Sequence, residues 1–379
     1  MLTENMHPRQ MRIHNLQRVL KAVRKSGLIS RADITRNTQL SSPTVSALVN
    51  GLVKAGLVEE QGEGTSNGGR RPQLVSFNAL CGVVLGANIG STSVQLRLAD
   101  MNGEVIEKRN VSLPIDTRPR FVLRRIATTV RSMLKNLADS RTPFLAVVVG
   151  APGMTDLSRG VVLEAVNLDQ WVNVPVREML SVALGVPVIV ENDVNLAAVG
   201  EHWRGSAQRV RNSVFISIGT GIGAGIIIDD KLYRGHRWHA GEISHLNVDF
   251  REWNADFGAA GYLESYLGAP TRKKTNRAPR RSSGAMSDEA ILRLGAAVAN
   301  IATIIDPELI VCGGRIAISM PELLPRVHEV AARIAPNCPA IHCTELGEEA
   351  PLAGSIHTAL ELADESLHKL LAASSVAAA

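Results

Sequence analysis

Residues Gly219-Thr220-Gly221-Ile222-Gly223-Ala224-Gly225 place glycine at every second position. Glycine turns between strands expose backbone N–H groups, and a concave set of such donors suits a phosphate, so Gly219, Thr220, Gly221 and Gly223 are candidates for holding one. The same glycines also serve a purely structural tight hairpin, and the run alone does not separate the two. A second glycine-rich stretch, Gly62 to Pro72, carries the adjacent arginines Arg70 and Arg71. Guanidinium groups at a hairpin tip suit nucleic-acid phosphates or a narrow minor groove, where negative potential is concentrated. Cys81, Cys312, Cys338 and Cys343 form no C-x-x-C pair. They suggest neither a disulfide framework nor a zinc ribbon, and a reducing cytoplasm fits.

The elements that must position these groups begin with a basic head. The chain has 379 residues and a formal charge of +5. Residues 1–72 hold 11 Lys/Arg against 5 Asp/Glu, leaving 30 basic and 31 acidic groups elsewhere. The basic excess therefore sits in one segment, as a polyanion-binding head requires, although a solvated surface fits the charge equally well. Ile13, Leu16, Leu20 and Val23 recur at helical spacing and predict a first helix ending near Gly27. A short second helix runs from Arg31 to about Asn37. A third starts at Ser42 as N-cap with Pro43 at its first position, and runs to Ala55 before Gly56. Val45, Leu48, Val49, Leu52 and Val53 form its packing stripe. Ser42, Thr44, Ser46, Ala47 and Asn50 lie off it, short enough to let the backbone approach base edges in a major groove. A plain three-helix bundle shares that spacing. The strands expected at Leu57–Gln61 and Gln73–Asn78, joined by the arginine-bearing tip, make the pattern a winged helix-turn-helix instead.

After a short linker near Ala79 the pattern changes to apolar strands at Val83–Ile89, Ser93–Ala99 and Val105–Leu113. A similar unit recurs at Val214–Ile218 and Ala224–Ile228, with the glycine run between them. Duplicated hairpins with intervening helices predict a bilobal α/β fold with a ligand cleft between the lobes. No apolar run approaches the roughly 20 residues of a membrane span, and no signal-peptide core is visible.

Six ordered motifs carry a resemblance. They are Gly150-Ala151-Pro152-Gly153, Asn167-Leu168 with Trp171, Glu191-Asn192-Asp193-Val194-Asn195, Gly219 to Gly225, Ala240-Gly241-Glu242-Ile243-Ser244-His245, and Asp306-Pro307-Glu308 followed by Cys312-Gly313-Gly314. Over almost its whole length the chain resembles the ROK family of repressors, open reading frames and kinases, within the actin-like (ribonuclease-H-like) sugar-kinase superfamily. The winged head resembles the repressor branch. The resemblance implies a head at 1–79, a small lobe at 80–192 completed by a C-terminal helix at 355–379, and a large lobe with a dimerisation surface at 193–354. It further implies that Asn167, Asn192, Asp193, Glu242, His245 and Glu264 hydrogen-bond sugar hydroxyls. Asp193 occupies the position of the kinase general base. The partners it implies are a double-stranded operator, a sugar or sugar-phosphate effector and a second copy of the chain, as a homodimer or homotetramer.

The chain also departs from that family. Kinase members carry Asp in the first phosphate turn, where this sequence has Asn88. A neutral amide is a poorer partner for magnesium, so kinase activity is not expected. Ala255, Phe257 and Tyr262 stand at the three cysteine positions of the family's zinc segment, so structural zinc is expected to be absent; His236 and His239 are the only nearby substitutes. Ser244 and Trp238 replace glycines at the pocket. Thr271 to Arg281, with six basic residues, reads as a solvated loop or as a second contact for DNA or an acidic partner. Against the regulator stand two alternatives: a sugar kinase with an accessory head, and a regulator whose C-terminal part only oligomerises or docks a partner.

Overall fold

A computed structural model describes residues 8–63, 71–113, 117–139, 141–165, 167–219, 221–258, 261–267 and 286–374. Arg70, Thr220 and the basic stretch Thr271 to Arg281 lie outside them. The head comprises α1 (Pro8–Ser26), β1 (Leu28–Ser30), α2 (Arg31–Thr38), α3 (Ser42–Lys54), β2 (Val58–Glu63) and β3 (Gln73–Phe77). Val19, Leu20 and Val23 of α1 close over Ile34 and the stripe Val45, Leu48, Val49 and Leu52. The α3 cap is Ser41 and not Ser42: the Ser41 hydroxyl accepts the Thr44 N–H, and Ser42 is already helical with Pro43 beside it. Two adjacent serines offer the same cap chemistry, and the backbone turn after Gln39, at φ 53°, selects the first. The wing has a third strand that periodicity does not reveal, because β1 is three residues long and pairs antiparallel with β3, Ile29 opposite Val75.

No free linker follows the head. Ala79–Cys81 form a 3₁₀ turn capped by Asn78, and the Met101 N–H donates to the Ala79 carbonyl at 2.9 Å. The body then opens with β4 (Val83–Ile89), β5 (Ser93–Asp100), β6 (Val105–Ser112), α4 (Pro119–Lys135), β7 (Phe144–Ala151), the small antiparallel sheet β8 (Met154–Asp156), β9 (Val161–Glu164) and β10 (Val172–Val174), α5 (Val176–Leu184) and β11 (Val188–Asn192). It continues through α6 (Asp193–Arg204), β12 (Ser213–Ile218), β13 (Ile222–Ile228), β14 (Lys231–Tyr233), α7 (Tyr262–Leu267), α8 (Asp288–Ile305), β15 (Leu309–Gly313), α9 (Gly314–Ser319), α10 (Leu323–Ile334), β16 (Ala340–Cys343) and α11 (Ala350–Ser374).

The two large sheets repeat one topology. The first runs β6-β5-β4-β7-β11 and the second β14-β13-β12-β15-β16, each an antiparallel meander followed by two parallel strands. Central β4 is an apolar run that is buried almost throughout, whereas edge strand β6 carries Glu107, Lys108 and Arg109, as a solvated edge should. This is the bilobal actin-like α/β fold. α6 lies on β12 and β13, α11 lies on β4 and β7, and the two helices pack on each other between the sheets. Their contact depends on small residues: a Cβ on Gly354 would run into the Leu196 carbonyl, and one on Gly200 into the Ala350 carbonyl. α11 also meets the head. Arg24 of α1 places Nη1 2.8 and 2.7 Å from the two Asp364 carboxylate oxygens, and its Nη2 donates to the Met101 carbonyl at 2.9 Å. The apolar core of the head is continuous with Val84, Met101, Ile356, Ala359 and Ala363. Among the described residues no helix is long and apolar enough to cross a membrane.

Candidate functional site

A cavity of about 610 Å³ lies where the ends of β7, β11, β12 and β13 face one another across the lobes. Asn167, Asn192, Asp193, Glu242, His245 and Glu264 all line it, as do Gly219, Gly221 and Gly223. Glu164, Asn195, Trp238, Arg315 and Glu348 also line it. Of these five, Glu164, Arg315 and Glu348 stand alone in sequence, with no pattern to mark them as site residues.

The Glu191-Asn192-Asp193 segment is where a parallel strand turns into a helix. Asn192 is the N-cap of α6: its Oδ1 accepts from the Val194 and Asn195 N–H groups at 2.8 and 3.0 Å, and its Nδ2 donates to the Gly153 carbonyl at 2.9 Å. Its side chain therefore ties the first lobe's Gly153 turn to α6, with one amide N–H left for a ligand. Buried Glu191 accepts from Asn195 Nδ2 at 3.0 Å and pairs with Arg234 Nε at 2.6 Å. Arg234 belongs to the other lobe, so this pair fastens the 234–245 loop to the end of β11. That loop carries Glu242 and His245 in a short 3₁₀ turn. Gly241 makes the turn possible: it sits at φ 90° with its Cα facing the Ala224 carbonyl, where a Cβ has no room.

Three carboxyls of the cavity hold their protons more tightly than usual. Burial pushes Asp193 up to about 7, with neighbouring Glu242 adding to the effect. Burial likewise raises Glu242, opposed by His239 and His245, and raises Glu264, opposed by the Ile222 N–H. Glu264 Oε2 accepts that N–H at 3.1 Å, while the Gly219 N–H donates to the Gly221 carbonyl. The glycine turn thus spends two of its donors within the protein. Partly desolvated carboxyls beside amides are a donor-acceptor set suited to hydroxyl pairs. Asn88, at the end of β4, lies outside the lining, and its Oδ1 is buried with no hydrogen-bond partner. Where the zinc segment would run, the Phe257 and Tyr262 rings meet edge to face with centroids 5.1 Å apart, and the Arg293 guanidinium lies 3.9 Å from the Tyr266 ring centre. His236 and His239 are solvent-exposed.

The second candidate surface is α3. Ser42, Ala47 and Asn50 are exposed, and Thr44 and Ser46 half-buried. Arg71 is exposed at the wing's base, 3.9 Å from Glu63, and Arg31 pairs with Glu60 at 2.8 Å. These pairs leave the acidic side chains of β2 partly neutralised beside α3.

Residues 84–361 match the ROK family model. The chain belongs to the ROK family. A xylose repressor from Caldicellulosiruptor bescii is 30% identical over 342 residues, covering 82% of this chain and 86% of the relative. The crystal structure of a ROK family transcriptional regulator, a homologue of the E. coli Mlc protein, shares the fold with a TM-score of 0.72 at 23% identity, over 96% of this chain and 99% of that one. A ROK hexokinase from Thermus thermophilus gives 0.62 at 27% identity, over 74% of this chain and 99% of its own. ROK relatives of this chain thus include both repressors and kinases. The regulator's likeness spans nearly the full chain, whereas the hexokinase's leaves about a quarter without counterpart.

Proposed function

We propose that the chain is a sugar-responsive, DNA-binding transcriptional repressor of carbohydrate-metabolism genes. The observation that carries this is the fusion of a winged helix-turn-helix, with the polar face of its third helix turned to solvent, to a cleft lined by hydroxyl-matching groups. In this reading α3 enters the major groove through Ser42, Thr44, Ser46, Ala47 and Asn50, and the wing's Arg70 and Arg71 contact the backbone or minor groove. Sugar bound by Asn167, Asn192, Asp193, Glu242, His245 and Glu264 favours one closure of the lobes. Because Asp193 begins α6, α6 packs on α11, and α11 holds Arg24 of the head, closure reaches the DNA-binding surface through packed helices. The sugar shifts operator affinity only as far as it binds the two arrangements differently. Two copies, in a dimer or tetramer, supply two heads for a two-fold operator.

The cavity chemistry favours a neutral sugar over a phosphorylated one. Glu164, Asp193, Glu242, Glu264 and Glu348 face it, against a single arginine, Arg315. The engaged donors at Gly219 and Ile222 and Asn88 in place of a carboxylate weigh against magnesium-nucleotide binding and hence against phosphoryl transfer. Structural zinc has no place in this reading, since aromatic rings and an alanine occupy the positions where thiolates are required. One observation favours a kinase: Asp193, with its proton affinity near neutrality, is suited to a general base. A coupled ATP-turnover screen over hexoses and amino sugars separates the two, since a kinase must turn over and lose its rate in Asp193→Asn. The test of the regulator is a genomic DNA pull-down with sequencing, with and without a sugar panel. Discrete sites near carbohydrate genes whose occupancy one sugar changes are expected; an absence of enriched sites refutes the reading.

A further inference from the structure

Seven residues other than glycine sit at positive φ among the described residues: Gln39, Gln170, Asn173, Asp229, Asp230, Trp238 and Asp306. Six carry a carboxylate or carboxamide side chain. Trp238, at φ 65°, is the exception, and a bulky ring is the type of side chain that this conformation suits least. Such a conformation persists only where the surroundings hold it, and here they do. Arg234, four residues earlier, is pinned to buried Glu191 of the opposite lobe, and the Ala240 N–H, two residues later, closes the loop on the Arg234 carbonyl at 3.1 Å. The loop so held puts Trp238 half-buried in the cavity wall. Among the described residues that line the cavity it is the only Phe, Tyr or Trp, in a wall otherwise rich in carboxyls and amides.

A sugar ring has two kinds of surface, a rim of hydroxyls and a face of C–H groups. The carboxyls and amides account for the rim; of the larger lining side chains, Met154 and Ile222 have no flat ring and His245 is engaged as a polar group, which leaves the indole of Trp238 for the face. We infer that Trp238 is a specificity-determining residue whose indole stacks on the C–H face of a cyclic neutral monosaccharide. The electron-rich face of an indole attracts the weakly positive C–H hydrogens, and stacking needs a closed ring with several C–H groups on one side. The cleft therefore selects ring sugars over their open-chain polyols, which share the hydroxyls but present no such face. This rests on the sugar-sensing reading above.

The test is calorimetry on the full chain with aldopentoses, aldohexoses and N-acetylhexosamines, each beside its reduced polyol. Wild type is expected to bind at least one sugar and to prefer it to the polyol. Trp238→Phe, which keeps a stacking ring, should bind within about threefold of wild type, whereas Trp238→Gly should weaken binding at least tenfold and erase the preference over the polyol. Glycine adopts the required φ freely, and Trp238→Asn, also tolerant of it, serves if the glycine variant misfolds. The sugar-induced change in tryptophan emission should vanish in Trp238→Phe. Binding by Trp238→Gly or Trp238→Asn within twofold of wild type, or an undiminished emission change in Trp238→Phe, overturns the stacking while leaving the sensor intact. A wild type that binds no sugar overturns both.

Discussion

Asp193→Asn should stabilise the protein while depriving it of its ligand, and the stabilisation should grow with pH. The Asp193 carboxyl stands at about 7 against an ordinary 3.8, chiefly through burial. Between those values the native state keeps a proton that the unfolded chain releases, so the carboxyl costs stability progressively as pH rises through the window, and fully above it. The full displacement corresponds to about 4 kcal/mol, of which roughly 2–3 kcal/mol develops between pH 5 and 8. Cavity water solvates part of the charge, so about half of that is expected, on the order of 1 kcal/mol. Asparagine has nearly the same shape and removes the ionisation. The assay is urea denaturation of both proteins at pH 5, 6, 7 and 8. The stability gap should widen steadily in the variant's favour; a gap that stays flat across those pH values would falsify the burial argument. Sugar binding should move oppositely. A hydroxyl donating to the ionised carboxylate favours the charged form, so wild-type affinity should rise from pH 5.5 to about 7 and level off above that, and the variant should bind roughly 10- to 100-fold more weakly with no such slope.

Other perturbations address the framework. Gly354→Ala should destabilise by about 2 kcal/mol or more despite alanine's better helix propensity, because the new methyl meets the Leu196 carbonyl and forces α6 from α11; thermal denaturation checks it. Arg97, buried in β5, pairs with half-exposed Glu349 at 2.5 and 2.9 Å, so Arg97→Ala should cost about 1–2 kcal/mol in urea denaturation, since water reaches the carboxylate left behind, and Arg97→Lys should restore only part of it. Arg24→Ala should leave operator binding near wild type but reduce the sugar-induced change in it, measured by anisotropy with and without sugar; an unchanged response removes the Arg24–Asp364 contact from the route. Asn50→Ala should weaken specific operator binding by roughly 1–3 kcal/mol while leaving the salt dependence unchanged, since the residue carries no charge to exchange for counterions.

Much of the architecture was legible because it is written in local periods. The stripe Val45, Leu48, Val49 and Leu52 and the runs Val83–Ile89 and Val214–Ile218 fold as their spacing predicts, since burial of one helix face or of a central strand needs no distant information. Asn167, Asn192, Asp193, Glu242 and His245 of the cavity were legible through ordered motifs, whereas Glu164, Arg315 and Glu348 were not. By contrast, β1 is too short to show a period and exists through a partner more than forty residues away. The choice of Ser41 over Ser42 as cap depends on the path of the preceding turn, and the linker expected near Ala79 is consumed by a core shared between the head and α11.

The cavity marks the division most sharply. The ordered motifs shared with the ROK family, and not residue types taken singly, pointed to carboxyls and amides suited to sugar hydroxyls. Only the tertiary structure decided that Asp193 is partly desolvated, that Glu191 and Arg234 clasp the two lobes, that Arg24 reaches Asp364, and that Trp238 is held at positive φ over the cleft. Desolvation, cross-lobe pairing and backbone strain are properties of what surrounds a residue, and those surroundings are assembled from segments remote in the chain.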